Sequence, residues 1–120
     1  RLFEILGKDL IFVTDYPTAK RPFYHSWDRE KGTTKSFDLI MTGIEITSGS
    51  VREHDYKKVK EQALEKGVRL ESIEEYLQTF KYGTPPTSGF GIGVERVIAK
   101  LLGLSSVKEA SLFPKDPDRL

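Results

Sequence analysis

The sequence predicts an α+β domain in which the strands of an antiparallel sheet come first and the helices follow. Short runs of β-branched and aromatic residues with brief turns between them indicate the strands. Apolar residues at helical spacing, bounded by capping residues, indicate the helices. The chain has 120 residues, the size of one ordinary domain, and no repeat or low-complexity linker divides it. We therefore interpret residues 1–120 as one α+β unit.

Four strands are predicted in the first half of the chain. The first is expected to be buried and to end at the turn Tyr16-Pro17. The polar stretch 28–35 contains no apolar residue, which predicts a hairpin-like loop. The last two strands are expected to be neighbours around Thr42-Gly43. The four predicted strands span residues 9–15, 22–27, 37–41 and 44–48.

Helices are predicted in the second half. Asp55 is the expected N-cap of the first, which ends near Lys66 with Gly67 as its C-cap. The second begins at a capping box that starts at Ser72 and stops before Gly83. Its buried face is predicted to contain Ile73, Tyr76, Leu77 and Phe80. The third runs from the glycine cluster 89–93 to Gly103, and a second capping box at residues 106–109 starts a short terminal helix.

The composition excludes some classes of protein but does not identify the function. The formal net charge is +1, from 19 basic and 18 acidic residues, so charge argues neither for nor against a nucleic-acid partner. With no cysteine, disulfides and thiolate metal sites are excluded, which fits a cytoplasmic location. No apolar run approaches the roughly 20 residues that span a bilayer. The first residue is Arg1 and the only methionine is Met41, so we expect a piece of a longer protein.

The segment Gly-Phe-Gly-Ile-Gly-Val-Glu-Arg (89–96) predicts an anion site. Its glycines permit close approach of a ligand, and a helix N-terminus favours negative charge. Arg96 lies one turn inside the predicted helix, where its guanidinium could reach a phosphate bidentately. The segment is neither a dinucleotide fingerprint nor a P-loop. On spacing alone, a glycine-rich loop for close packing with Arg96 in a structural ion pair is an equal alternative.

The strand segment 44–54 carries a carboxylate, hydroxyls and an arginine. Glu45 and Ser48 offer hard oxygen ligands of the kind that Mg²⁺ prefers. They are three positions apart, so they could meet one ligand only if the strand twists or bulges, for which Gly49 is a candidate position. Arg52 and His54 share a face and could hold a carboxylate. The alternative is a solvated strand end with ordinary charges.

Taken together, these motifs resemble a known family. Residues 89–96 are similar to the third signature motif of class II aminoacyl-tRNA synthetases, and residues 37–39 with 43–54 resemble the aspartyl branch, especially its archaeal-type members. The similarity covers nearly the whole chain. Three further stretches match: Arg21-Pro22-Phe23-Tyr24, Tyr82-Gly83-Thr84-Pro85-Pro86 and Leu112-Phe113-Pro114-Lys115-Asp116.

The resemblance implies a role for each site residue. An antiparallel sheet flanked by helices would cradle ATP, with Arg96 at the γ-phosphate end and Gly93, Val94, Glu95 and Arg96 lining the nucleotide. Glu45 would hold ATP and Mg²⁺, and Ser48 would touch both the metal and the amino acid. Arg52 would grip the side-chain carboxylate of aspartate. Arg96 and Glu45 would be the catalytic residues.

The resemblance further implies a ligase that activates aspartate with ATP and joins it to tRNA, within a cytoplasmic homodimer that has no membrane association. The first two family motifs and the anticodon-binding domain are not in this sequence. We therefore expect a C-terminal part of a catalytic domain, inactive on its own. Three alternatives remain: an asparaginyl-tRNA synthetase, a paralogue that forms free asparagine, and a non-catalytic regulatory or assembly module with the same fold.

Overall fold

The computed structural model describes residues 2–115, and side chains from residue 4 onwards. Within this range the helices are α1 (Leu2–Leu6), α2 (Tyr56–Glu65), α3 (Glu74–Lys81) and α4 (Val94–Leu101). The strands are β1 (Leu10–Thr14), β2 (Trp27–Asp28), β3 (Thr33–Thr34), β4 (Ser36–Met41), β5 (Ile44–Val51) and β6 (Ser88–Ile92). Turns of 3₁₀ helix occupy Thr18–Lys20, Leu70–Ile73 and Val107–Ala110. Asp116, the last residue of the matching motif 112–116, lies outside the described residues.

Four strands form one sheet in the order β1-β4-β5-β6, and β2 pairs with β3 in a separate antiparallel ribbon. The antiparallel sheet with helices confirms the predicted α+β class. Strand β1 alternates between exposed and half-buried residues, so the prediction that it is buried was wrong. Thr42 and Gly43 both have positive φ, 40° and 89°, which is typical of the two-residue turns that join hairpin strands.

The predicted strand over residues 22–27 was wrong. Trp27 and Asp28 pair with Thr33 and Thr34 of the stretch predicted as a loop, and His25 forms one isolated bridge with Arg52. Pro22 has no N–H to donate to a sheet, and its carbonyl accepts a turn hydrogen bond from the His25 N–H at 3.4 Å. The aromatic run that suggested a strand therefore folds as a turn.

Helix α2 is capped at both ends as predicted. The Asp55 carboxylate accepts a hydrogen bond from the Lys58 N–H at 3.0 Å. Gly67 has φ +70°, and the Val68 N–H donates to the Ala63 carbonyl at 2.9 Å, the bond that closes a Schellman motif. Local sequence signals therefore determine where this helix begins and ends.

The two predicted capping boxes had different outcomes. The box at Ser106 is present, with Glu109 as its reciprocal partner. The box at Ser72 is not, because the Ser72 hydroxyl donates to the Arg69 carbonyl within the 3₁₀ turn at 2.7 Å. Helix α3 begins two residues later, at Glu74, without a side-chain cap. Of its four predicted core residues, Leu77 and Phe80 are buried and Ile73 is partly buried against them, whereas Tyr76 is exposed at 39%.

Contacts group the chain into two compact units, each built from separate stretches of sequence. Among the described residues, unit 1 comprises residues 2–12, 38–48 and 91–115, and unit 2 comprises residues 13–37 and 49–90. The core of unit 2 is the cluster Val59, Leu77 and Phe80, against which Phe23, Tyr56, Leu70 and Ile73 pack. In unit 1 the buried apolar residues among those described are Ile46 and Ala99. Nowhere in residues 2–115 is there a helix long and apolar enough to cross a membrane.

Candidate functional site

The glycines of segment 89–96 are divided between two elements. Gly89 and Gly91 lie in β6, so the prediction that all three glycines belong to the helix start was wrong. Gly93 alone is the N-cap of α4. Its N–H donates to the Ile46 carbonyl at 2.8 Å, and its carbonyl accepts from the Val97 N–H at 3.0 Å. The chain therefore passes from sheet to helix at a single glycine.

Gly93 also leaves room for the side chain of Arg96. A Cβ at position 93 would lie 3.1 Å from Arg96 Cδ and 3.3 Å from Arg96 Cγ, closer than most real contacts. The arginine folds back over its own helix N-terminus and donates from Nη1 to the Glu45 carbonyl oxygen at 2.8 Å. The same nitrogen lies 3.6 Å from Glu45 Oε1. The structure thus brings together the predicted catalytic pair, Glu45 and Arg96, from motifs 51 residues apart.

Two consecutive carbonyls of β5 accept hydrogen bonds beside this pair. The carbonyls of Glu45 and Ile46 are consecutive, yet they accept from Arg96 and Gly93 respectively. In a regular strand, consecutive carbonyls point to opposite edges. Both carbonyls are thus bound by the segment 93–96, one by its backbone and one by the long side chain of Arg96.

Gly49 has a different explanation from the predicted bulge. A Cβ there would lie 2.6 Å from Phe37 Cε1 and 2.8 Å from Phe90 Cβ. The residue does not adopt the positive φ of a glycine-type bulge. Glycine is needed because the Phe37 ring lies directly against the backbone of β5. Ser48, the other predicted metal ligand, is half-buried in the same strand.

A cavity of about 300 Å³ opens beside the N-terminus of α4. Its lining residues include Gly93, Glu95, Arg96, Lys108, Ser111 and Lys115. Three of these side chains are cationic and one is anionic, so the cavity suits an anion. Sequence reasoning assigned no binding role to Lys108 or Lys115. The sequence shows only that both lysines lie in the segment that follows α4. That this segment folds back towards Arg96 is a tertiary feature, which the sequence pattern does not predict.

Arg52 is half-buried and its partners are neutral groups. Its Nη1 donates to the Ser50 hydroxyl at 2.9 Å. Its guanidinium carbon lies 5.2 Å from the centroid of the Tyr24 ring, within cation–π range. Burial raises the pKa of the Tyr76 phenol, and the positive charge of Arg52 opposes that shift. Because the Ser50 hydroxyl and the Tyr24 ring are uncharged, neither of these contacts neutralises the charge of Arg52.

His54, which the spacing paired with Arg52, lies beside a buried carboxylate. Its Nδ1 lies 4.0 Å from Oε1 of the buried Glu53. The same Glu53 oxygen accepts from the backbone N–H groups of His54 at 3.0 Å and Asp55 at 3.2 Å. The imidazole thus lies near a carboxylate of the protein, and its role as a second contact for a substrate carboxylate stays a prediction.

No group of three or more histidine, cysteine or acidic side chains could hold a metal ion within residues 2–115. Glu45 and Ser48 supply a carboxylate and a hydroxyl, fewer ligands than a metal cage built from protein alone. Mg²⁺ commonly binds through one or two carboxylates together with substrate phosphates. A carboxylate and a hydroxyl are therefore donor types suited to a Mg²⁺ ion that arrives with a nucleotide, and their joint use of one ion stays a prediction.

Comparison with known proteins assigns the family. Residues 3–117 match the model described as tRNA synthetases class II (D, K and N). The chain therefore belongs to the class II tRNA synthetases. An aspartate–tRNA(Asp/Asn) ligase from Thermus thermophilus is 51% identical over 117 residues, which are 98% of this chain and 28% of that protein. An aspartate–tRNA(Asp) ligase from Pyrococcus furiosus is 46% identical, over 95% of this chain and 26% of that protein.

Solved structures give the same fold. An aspartyl-tRNA synthetase from Entamoeba histolytica matches with a TM-score of 0.92 at 36% identity, covering 99% of this chain and 25% of that one. An asparaginyl-tRNA synthetase from Pyrococcus horikoshii matches with a TM-score of 0.84 at 38% identity, covering 92% of this chain and 27% of that one. The chain spans about a quarter of the length of these relatives.

Proposed function

We propose that the full-length protein containing this chain activates aspartate with ATP and transfers it to tRNA. The observation that carries the proposal is the Glu45–Arg96 pair, in which a guanidinium and a carboxylate from the two family motifs meet at the N-terminus of α4. The names of the most similar relatives support aspartate as the amino acid.

Activation requires two anions to react with each other. The α-carboxylate of aspartate attacks the α-phosphorus of ATP, a bond forms between them, and pyrophosphate leaves. Cationic groups lower the repulsion and stabilise charge that develops on the phosphoryl oxygens. In this proposal Arg96 contacts the γ-phosphate end, and residues 93–96 line the nucleotide. Lys108 and Lys115 add positive charge to the same cavity.

Mg²⁺ would be held by Glu45 and Ser48 together with phosphate oxygens. When bound, the metal neutralises phosphate charge. Glu45 is 45% exposed and its distance of 3.6 Å to Arg96 is longer than a close ion pair, so its carboxylate can turn to a second cation at little cost. Glu45 would therefore serve both the metal and the arginine.

Arg52 would select aspartate by its side-chain carboxylate. A half-buried guanidinium whose protein partners are a hydroxyl and an aromatic ring retains its full charge for a ligand. A carboxylate accepts two parallel hydrogen bonds from such a fork, whereas an amide can accept only through its single oxygen. The likeness to asparaginyl-tRNA synthetase makes asparagine the specific alternative. A cytoplasmic location and a homodimer are further parts of the proposal.

Amino-acid-dependent exchange of pyrophosphate into ATP by the full-length protein tests the proposal. We expect exchange with aspartate and little with asparagine, followed by charging of tRNA with aspartate. Exchange with asparagine alone would move the protein to the asparaginyl branch. Aspartate exchange without tRNA charging, but with release of free asparagine when ammonia is supplied, would identify the asparagine-forming paralogue. Failure to bind ATP and Mg²⁺ would favour the non-catalytic module.

A further inference from the structure

Ser50 is a buried hydroxyl directly beside the proposed specificity arginine. It is 3% exposed, and its oxygen accepts a hydrogen bond from Arg52 Nη1 at 2.9 Å. It is two residues before Arg52, so in an extended strand both side chains emerge from one face. In the described part of the chain, this hydroxyl is the one side-chain hydrogen-bond partner of the Arg52 guanidinium.

The other contacts of the guanidinium restrain it less. The Tyr24 ring lies 5.2 Å from the guanidinium carbon, and a cation–π contact of this length allows the plane to rotate. On another side is Gly89, where even an added Cβ would lie 3.7 Å from Arg52 Nη2. An arginine has several rotatable bonds, so a directional contact is needed to fix the orientation of its fork.

We infer that Ser50 is a positioning residue, whose hydroxyl holds the Arg52 fork in the orientation that grips the side-chain carboxylate of aspartate. This inference rests on the proposed function and names a residue outside the set assigned from sequence. A neutral acceptor suits the task because it orients the guanidinium without neutralising it. A carboxylate at position 50 would itself pair with the fork and compete with the substrate. The bond to Ser50 uses Nη1 and leaves the remaining N–H donors for the ligand.

The kinetic test uses the full-length protein and a matched pair of serine variants. Ser36 is also buried, at 5% exposure, and lines the same cavity of about 500 Å³ as Ser50, but its hydroxyl bonds to Thr34 at 2.7 Å. We expect Ser50→Ala to raise the aspartate KM in pyrophosphate exchange by about tenfold, the scale of one hydrogen bond to a charged group. The ATP KM and the kcat should remain near wild type. Ser36→Ala should leave the aspartate KM near wild type.

A double-mutant cycle separates positioning from general damage to the fold. If Ser50 acts through Arg52, Ser50→Ala should add little to the aspartate KM of an Arg52→Lys variant. Additive effects of the two substitutions would overturn the inference. Equal rises in KM for Ser50→Ala and Ser36→Ala would overturn it too.

A structural readout decides the inference even if the proposed function fails. Absence of aspartate exchange in the wild-type protein would refute the proposed function alone. Crystal structures of the full-length wild type and of Ser50→Ala would still compare the orientation of the Arg52 guanidinium. A rotated or disordered fork in the variant supports the positioning role, and an unmoved fork overturns it.

Discussion

The two arginines of the candidate site differ in what surrounds them. Arg96 faces Glu45 at 3.6 Å, and the side chains are 50% and 45% exposed. An ion pair this exposed contributes about 0–1 kcal/mol to stability, so its rearrangement around a nucleotide costs little. Arg52 is half-buried against a hydroxyl and an aromatic ring. Its charge is therefore partly removed from water, and neither of these two groups carries an opposite charge. The first arginine is suited to a mobile polyphosphate and the second to a fixed carboxylate.

Replacing Arg96 should abolish activation while leaving the fold intact. We expect Arg96→Ala in the full-length protein to slow pyrophosphate exchange by about 10²- to 10³-fold, the typical loss when one charge-stabilising donor is removed from a reaction site. Arg69 is exposed and provides a matched control, because Arg69→Ala removes the same charge elsewhere. Exchange in Arg96→Ala within twofold of Arg69→Ala would contradict the assignment of Arg96.

The contribution of Gln62 to stability depends on its buried position. It is 1% exposed, and its Nε2 donates to the carbonyls of Phe23 at 2.7 Å and His25 at 2.8 Å. Gln62→Leu would leave both carbonyls without this donor. We expect a loss of about 2–4 kcal/mol in the free energy of unfolding, measured by urea titration of the 120-residue chain. Gln78→Leu, the same change at an exposed position of α3, should be nearly neutral. Equal losses in the two variants would refute this explanation.

At the scale of elements, local signals predicted what local chemistry controls. Helix caps are present as expected at Asp55, at Gly67 and at the capping box of Ser106. Each cap acts on backbone groups within a few residues. The strand prediction failed at residues 22–27, where the chain turns after Pro22 and a glutamine about 40 residues away in sequence donates to the carbonyls of Phe23 and His25. No local pattern reports such a contact.

The glycines show the same division between local and tertiary causes. Gly43 and Gly67 adopt positive φ at turns, which sequence reasoning expected. Gly49 is required by the Phe37 ring, which approaches from another strand, and Gly93 by the side chain of Arg96, which folds back over the first turn of its own helix. The sequence therefore predicted the turns at Gly43 and Gly67, and the structure was needed to explain why Gly49 and Gly93 are glycines.

The N-cap of α2 should make stability depend on pH in acid. The hydrogen bond from the Lys58 N–H lowers the pKa of Asp55 below its usual 3.8. Because the pKa of Asp55 is lower in the folded state than in the unfolded state, the charged cap stabilises the protein at pH values above the unfolded-state pKa. This contribution is lost as the pH falls through the folded-state pKa. Asn caps helices without titrating. We therefore expect the thermal midpoint of Asp55→Asn to fall less than that of the wild type below about pH 4. Parallel pH profiles would contradict this role.

At the scale of the molecule, the two units differ in how much apolar surface they bury. Unit 2 buries Val59, Ala63, Leu77 and Phe80. In unit 1 the most exposed large apolar side chains include Leu101, Leu102, Leu112 and Phe113, at 67%, 69%, 86% and 83%. Since apolar burial is the main favourable term in folding, the stability of this chain should reside in unit 2.

Amide hydrogen exchange on the 120-residue chain tests that distribution helix by helix. Helix α2 buries Val59, Gln62 and Ala63, whereas α4 buries only Ala99 among its described residues. Opening α4 exposes little additional apolar surface, so its amides should exchange at least about tenfold faster than those of α2, a difference of about 1.4 kcal/mol in opening free energy. Ala63→Gly should speed exchange in α2 and leave the rates of α4 unchanged. If the two helices were equally protected, or if Ala63→Gly accelerated exchange in both, the chain would open as one cooperative body. The stability would then not be confined to unit 2.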